Sequence, residues 1–365
     1  MNYCLLPKNN IDIKIHAEYC TELLENYISH SLIYFLNKNV VQLKNLYSSM
    51  PDLYKELKKI VNTYEFIFTN VPNYNMSISK VKPENNIFFE LMEIFHLFNI
   101  NDIFNNTLQT VHITPNYNSS LYLLNILRED KKDINICKSP DICNFIELNY
   151  LSEKTDFFFF EFYKKDYKNT PLYLKKILSV LIIILNYQKN MGVTIIKIEN
   201  IFDKVTIEII YIICGLFEKV YIIKPSVSNN ISNVRYIVCK KYMPSNNTTY
   251  LSSKINEIYN INTDELFISS LLENKIPYYF INKIEESNII IGHQQLEFID
   301  QIINIVKNKN KDDKIETIKR QNIQKCIQWC EKYKIPHNKF LDKTNIFLNM
   351  QNTKKDELDE VSSEI

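Results

Sequence analysis

The sequence predicts a three-layer α/β sheet, mostly parallel, with helical segments before and after it. Between residues 100 and 243, apolar strand-like runs alternate with amphipathic helices in the order βαβ-β-αβαββ. The last two strands of that run, 219–224 and 235–241, are joined by a polar linker that lets them pair antiparallel. The chain has 365 residues and 45% hydrophobic content, enough for one large domain or two ordinary ones.

The elements follow in order. Residues 17–68 carry apolar residues at helical spacing and predict two or three helices, closed by the turn cluster "NVPNYN". "IFFELMEIFHLFN" at 87–99 is a further amphipathic helix. A short strand at 108–113, a loop with Pro115 and two asparagines, and a helix at 119–129 come next. "DINIC" at 133–137 and "TDFFFFEFY" at 155–163 predict strands, the second fully buried. A helix at 171–188, a strand at 192–199 and a helix at 203–217 lead into the closing strands. Residues 251–345 return to helical patterns, and the last helix stops at Pro336. These divisions predict an N-terminal helical region (1–75), a sheet domain (76–250), a C-terminal helical extension (251–345) and a disordered charged tail (346–365).

Composition narrows the chemistry. A net charge of +1 gives no global pull towards nucleic acid or membrane, so any RNA contact must come from a local patch. Only 3 glycines occur, where average usage would give about 25, so a glycine-rich phosphate cradle has almost no material. The excess of Asn, Ile, Lys and Tyr fits an AT-rich genome such as that of a large DNA virus or a parasite. None of the eight cysteines forms a CxxC pair or has zinc spacing with histidine. Cys326 and Cys330 share one helix face near His337, a pattern that suits buried thiols in a reducing compartment better than a metal site. The longest apolar run, 177–187, is too short to span a bilayer, so no membrane partner is expected and the chain reads as cytoplasmic.

One residue interrupts a strand that otherwise looks buried: Lys197 in "VTIIKIEN". A lysine at a strand end can simply keep its head in water. It can also serve as a catalytic base.

Residues 187–242 resemble the C-terminal half of an FtsJ-like RNA 2′-O-methyltransferase. The resemblance is carried by a strand ending in Lys197, a strand ending in Lys224-Pro225, a Ser-rich loop from Ser226 to Ser232, and a final strand from Arg235 to Cys239. "FFELMEIFHLF" resembles the helix before that family's cofactor loop, and residues 321–338 look like the closing segment of its Adrift-type members in large DNA viruses. The resemblance spans roughly 76–340. It implies a Rossmann-like methyltransferase sheet with an antiparallel final strand. It also implies S-adenosylmethionine as methyl donor, a ribose 2′-hydroxyl near an mRNA cap as acceptor, and partners among capping or transcription proteins. A viral member would work in the host cytoplasm or the virion.

The family's Lys-Asp-Lys-Glu tetrad is altered. Lys197 falls on the second lysine and Glu161 on the aspartate, so these two are the candidate catalytic residues. Glu90 stands where the first lysine should be, and Val234 where the final glutamate should be. The cofactor-loop candidates are Thr114, Pro115 and Asn116 in "HITPNYNSS", with Asn116 in place of a glycine and able to adopt a left-handed turn. Asp141 is the nearest acid to the end of the second strand. Lys164, Lys165 and Lys168 would stand at the cleft rim, as phosphate contacts or as a solvated loop, and Tyr117 could stack on a base. His112 reads as a satisfied strand-end residue. Two readings follow: a cap 2′-O-methyltransferase with reduced or no activity, or a catalytically inactive module that binds RNA or a partner enzyme. A structural viral protein is a third class.

Overall fold

The computed structural model describes residues 3–9, 13–22, 25–72, 74–104, 106–129, 131–138, 154–161, 170–244, 247–261, 267–308 and 311–338. The chain divides into two compact units. One comprises Met1–Asn62 with Pro83–Lys307, the other Thr63–Lys82 with Asn308–Ile365.

In the first unit, seven strands form one sheet. They are β1 (Tyr3–Leu5), β3 (Gln109–Ile113), β4 (Ile134–Lys138), β5 (Thr155–Glu161), β6 (Gln188–Ile198), β7 (Phe217–Ile223) and β8 (Arg235–Tyr242), in the spatial order β1-β7-β8-β6-β5-β3-β4. β3 pairs parallel with β4 and β5, and β5 parallel with β6. β8 inserts between β6 and β7 and is antiparallel to both. A parallel sheet with one inserted antiparallel strand near its end is the Rossmann-like methyltransferase arrangement, and the α/β class is as the alternating pattern predicts.

Side chains alternate across the sheet. Val111, Phe158, Phe160, Ile196, Ile198 and Ile237 join a core with helices α5 (Thr170–Tyr187) and α6 (Lys204–Leu216). The opposite face meets α3 (Ile87–Leu97), which packs against α4 (Tyr117–Leu127); the ring of Phe95 lies 5.6 Å from that of Phe157. Asp203 caps α6 by accepting from the Thr206 N–H at 2.8 Å, which fixes where the helix starts after β6.

Two expectations are corrected here. The N-terminal segment is not helical throughout: β1 adds an edge strand to the main sheet, and β2 (Ile15–Cys20) is a strand before the helices α1 (His30–Ser49) and α2 (Pro51–Val61). "DELFISSLLENK" contains a strand, β9 (Phe267–Leu272), which pairs antiparallel with β2. A short apolar run does not distinguish strand from helix by spacing, and here partner pairing decides. Glu208 on α6 accepts from Ser270 Oγ at 2.9 Å and from the Leu271 N–H at 2.6 Å, pinning β9 to the core.

After α7 (Thr248–Asn260), the first unit ends with α8 (Tyr278–Lys307). Gly292 on α8 faces Leu32 of α1, and a Cβ there would come within 2.6 Å of the leucine side chain. Its role is close helix packing. The second unit contains a 3₁₀ turn (Glu65–Ile67) against α9 (Lys311–Lys332). Ser79 bridges His337, and the Asn338 side chain donates to Ser77 O at 2.7 Å. Cys326 and Cys330 are fully buried on α9. Among the described residues, no helix is long and apolar enough to cross a membrane. The expected tail at 346–365 lies outside the described residues.

Candidate functional site

In open α/β sheets, ligands bind at the carboxyl ends of the parallel strands. Glu161 is the last residue of β5, and Lys197 sits opposite it near the end of β6. Both side chains project to the α3 face. Lys197 Nζ lies 3.1 Å from Glu161 Oε1 and 3.0 Å from Glu90 Oε2. Glu90 is in the first turn of α3, where the helix dipole favours a carboxylate. The Tyr236 hydroxyl also donates to Glu90 Oε2, and the Tyr236 ring faces the ammonium at 5.6 Å. Lys197 is 12% exposed and Glu161 fully buried. Lys197 is therefore neither a solvated strand end nor an isolated base: it is the centre of a buried ion triad.

This geometry tests the position of Glu90. The resemblance puts Glu90 where a lysine should face the same centre, and it does face that centre with the opposite charge. Val234 precedes β8 and brings no carboxylate. One cation between two anions suits the folded core but opposes negative charge developing on a nearby hydroxyl oxygen. It also commits one of the ammonium's three N–H donors to Glu90.

The β3–α4 turn folds onto the same carboxylate. Thr114 Oγ1 donates to Glu161 Oε2 at 2.5 Å, and Asn116 Nδ2 approaches it at 3.5 Å. The Asn116 N–H donates to Thr114 Oγ1 at 3.1 Å. Asn116 has φ −119°, so the left-handed turn expected of it is not used. Pro115 is exposed. S-adenosylmethionine would need backbone without a side chain at this turn and an acid after the second strand. Here the Asn116 amide points at Glu161, and β4 ends in Lys138. Among the described residues, the β3–α4 turn does not fit the cofactor, because the Asn116 side chain fills it. Asp141, Lys164, Lys165 and Lys168 lie outside the described residues.

His112 is fully buried between Thr110 Oγ1 (3.2 Å) and Ser120 Oγ (2.9 Å), and burial pulls its pKa down to about 3. It is a core histidine, as the sequence suggested. Tyr117 is exposed at the start of α4.

Sequence reasoning missed three buried polar anchors. Glu93, one α3 turn after Glu90, accepts from Ser226 Oγ and from the Val227 N–H at 3.2 Å, holding the β7–β8 loop. Lys224 donates to Ser232 O across that loop. Burial, then the nearby Arg235 charge, pulls the Lys224 pKa down to about 7 against the opposing pull of Glu90. Arg235 is fully buried, donating to Asn233 O at 3.3 Å and Asn288 Oδ1 at 2.5 Å. Only the "KP" and "RY" pairs hinted at these roles, and their partners are remote in sequence.

No family model matches the chain. The chain is 28% identical over 141 residues to a cap-specific mRNA (nucleoside-2′-O-)-methyltransferase 1 of Dictyostelium discoideum. The match covers 38% of this chain and only 18% of that protein. A crystal structure described as a ribosomal RNA methyltransferase from Plasmodium falciparum aligns with a TM-score of 0.35 and 14% identity, covering 44% of this chain and 99% of that one. By sequence, the chain thus has a distant similarity to a cap 2′-O-methyltransferase over 38% of its length.

Proposed function

We propose that this chain is an FtsJ-like, Adrift-type methyltransferase module that has lost methyl transfer and serves as an RNA-binding partner of a capping or transcription enzyme. The observation that carries this reading is Lys197 clamped between Glu90 and Glu161. A base that must orient a ribose hydroxyl needs free donors and a locally positive field. Here the ammonium faces two carboxylates and donates to one of them, so negative charge already surrounds it. The β3–α4 turn supports the same reading, because its Asn116 side chain reaches the carboxylate that an S-adenosylmethionine-dependent site would keep beside the methyl group.

The test incubates purified chain with labelled S-adenosylmethionine and capped RNA, beside a Lys197→Ala control. Background signal from both proteins is expected, together with no rise in melting temperature on adding the cofactor. Robust transfer that disappears in the control overturns the reading.

A second reading, an active cap 2′-O-methyltransferase, is favoured by one observation: Lys197 is retained at the end of β6 facing the cleft. In that case cofactor alone would raise the melting temperature.

A further inference from the structure

Among the described residues, the α3 face of the sheet is not covered to its edge. β1, β7 and β8 share that face beyond Phe98, the residue that closes α3. Tyr221 and Lys219 point there from β7. Their cross-strand neighbours on β8 are Val238 and Lys240, and Leu5 of β1 lies opposite Tyr221. Tyr3 is 52% exposed and Leu5 47%. The rings of Tyr3, Tyr221 and Phe98 form one cluster, with centroids 4.6–5.8 Å apart.

Beside these rings the charge is positive. Lys219 and Lys240 are directly opposite across the β7–β8 pair. Lys240 Nζ donates to Phe98 O at 2.6 Å. Lys241 and Lys8 stand at the same end of the hairpin, Lys241 pairing with Glu218 at 3.0 Å and Lys8 reaching Met243 Sδ at 3.8 Å. Lys8, Lys219 and Lys241 all act on Glu218, and Lys219 and Lys241 both push the Lys240 pKa down, after its partial burial. Four lysines surround one carboxylate.

A solvated charged face is the ordinary explanation of such a cluster, but three features argue against it. Like charges directly opposite in a ladder destabilise the sheet. Lys241 holds φ 59°, a left-handed conformation that costs a non-glycine residue. Lysines on an edge strand deter edge-to-edge pairing, but Lys240 is on β8, an interior strand between β6 and β7. The combination of exposed ring and excess cations is what single-stranded nucleic acid uses: stacking on the ring and phosphates on the lysines.

We propose that this β1–β7–β8 face is a platform for single-stranded RNA, separate from the cleft. It rests on the RNA-binding part of the function proposed above and gives that binding a place. β7 runs in the same direction as β6, so Lys219 lies at the pole of the sheet opposite the cleft. Along β8, Lys240 is four residues from Tyr236, about 13 Å.

The test measures fluorescence anisotropy of a labelled oligouridylate of about 12 nucleotides with the full chain, over about 50–200 mM salt. Lys8→Gln/Lys219→Gln removes two exposed cations. It is expected to weaken binding about tenfold at low salt and to reduce the salt slope by about 1.4. Tyr3→Ala is expected to weaken binding about tenfold with the slope unchanged. Lys219→Gln should not lower the melting temperature, because it relieves the repulsion with Lys240. If the chain binds RNA but both variants bind as the parent does, the RNA lies elsewhere: the platform is wrong and the RNA-binding module survives. If the chain binds no RNA, both fall. Equal binding of polyglutamate would also overturn the platform, in favour of an acidic protein partner.

Discussion

Lys197 carries the strongest residue-scale consequences. Removing it leaves Glu90 and Glu161 buried without their shared cation. Breaking a buried pair in this way costs about 3–5 kcal/mol, so Lys197→Ala should melt well below the parent. The triple change Glu90→Gln, Glu161→Gln, Lys197→Met removes the charges together and should recover most of that loss in a denaturant titration. If the triple variant is no more stable than Lys197→Ala, the triad is not the stabilising unit described. His112 makes a pH prediction. Its native pKa, about 3, lies below the ordinary 6.5, so below pH 6.5 the unfolded chain takes up a proton that the native chain refuses. Stability is therefore unaffected by this group above pH 6.5 and falls by up to about 1.4 kcal/mol per unit as pH drops from 6.5 towards 3. His112→Gln should flatten that part of the stability profile, measured by urea unfolding at stepped pH.

At the scale of elements, the cleft is built by three strand ends and one helix start. β5 and β6 were legible because their aromatic and β-branched runs suit a strand buried on both faces. Their register, Glu161 opposite Lys197, followed from the resemblance and holds in the structure. The β7–β8 loop was legible only as a polar linker, and its order comes from Glu93 on a remote helix. Glu93→Ala removes two charge-assisted hydrogen bonds, each worth about 1.5–3 kcal/mol. Hydrogen exchange at the Val227 amide should accelerate strongly while amides in β5 stay protected; unchanged exchange at Val227 would mean that the loop is held by other contacts. β2 and β9 escaped the reading for a related reason. Each is a short run whose partner is some 250 residues away, and local spacing carries no trace of that pairing.

For the whole molecule, the cysteines report on closure of the core. Cys214, Cys239, Cys326 and Cys330 are buried, and burial pushes their thiols up, Cys330 to about 12. Cys4, Cys20 and Cys137 are half-exposed. Mass spectrometry after brief thiol labelling should find these three modified in native protein and the four buried ones only in denaturant. Native labelling of Cys214 as fast as Cys20 would show that the core is looser than its burial implies. The four buried thiols lie in both compact units, Cys214 and Cys239 in one, Cys326 and Cys330 in the other. Their labelling therefore reports each unit's unfolding separately.

The sequence by itself determined the α/β class, the order of the sheet-domain elements and the presence of a lysine at the end of β6, because runs of Phe, Ile and Val and the helical spacing between them are local properties. It also marked Glu90 and Val234 as departures from the pattern it resembles. Only the tertiary structure decided what those departures do. Glu90 and Lys197 are 107 residues apart, yet their charged ends lie 3.0 Å apart. The same folding brings the Asn116 side chain onto Glu161 and sets the lysines of two strands against each other beside exposed Tyr3. Burial, charge balance and the direction of a side chain depend on neighbours that the chain supplies from far away, so they exist only once it has folded.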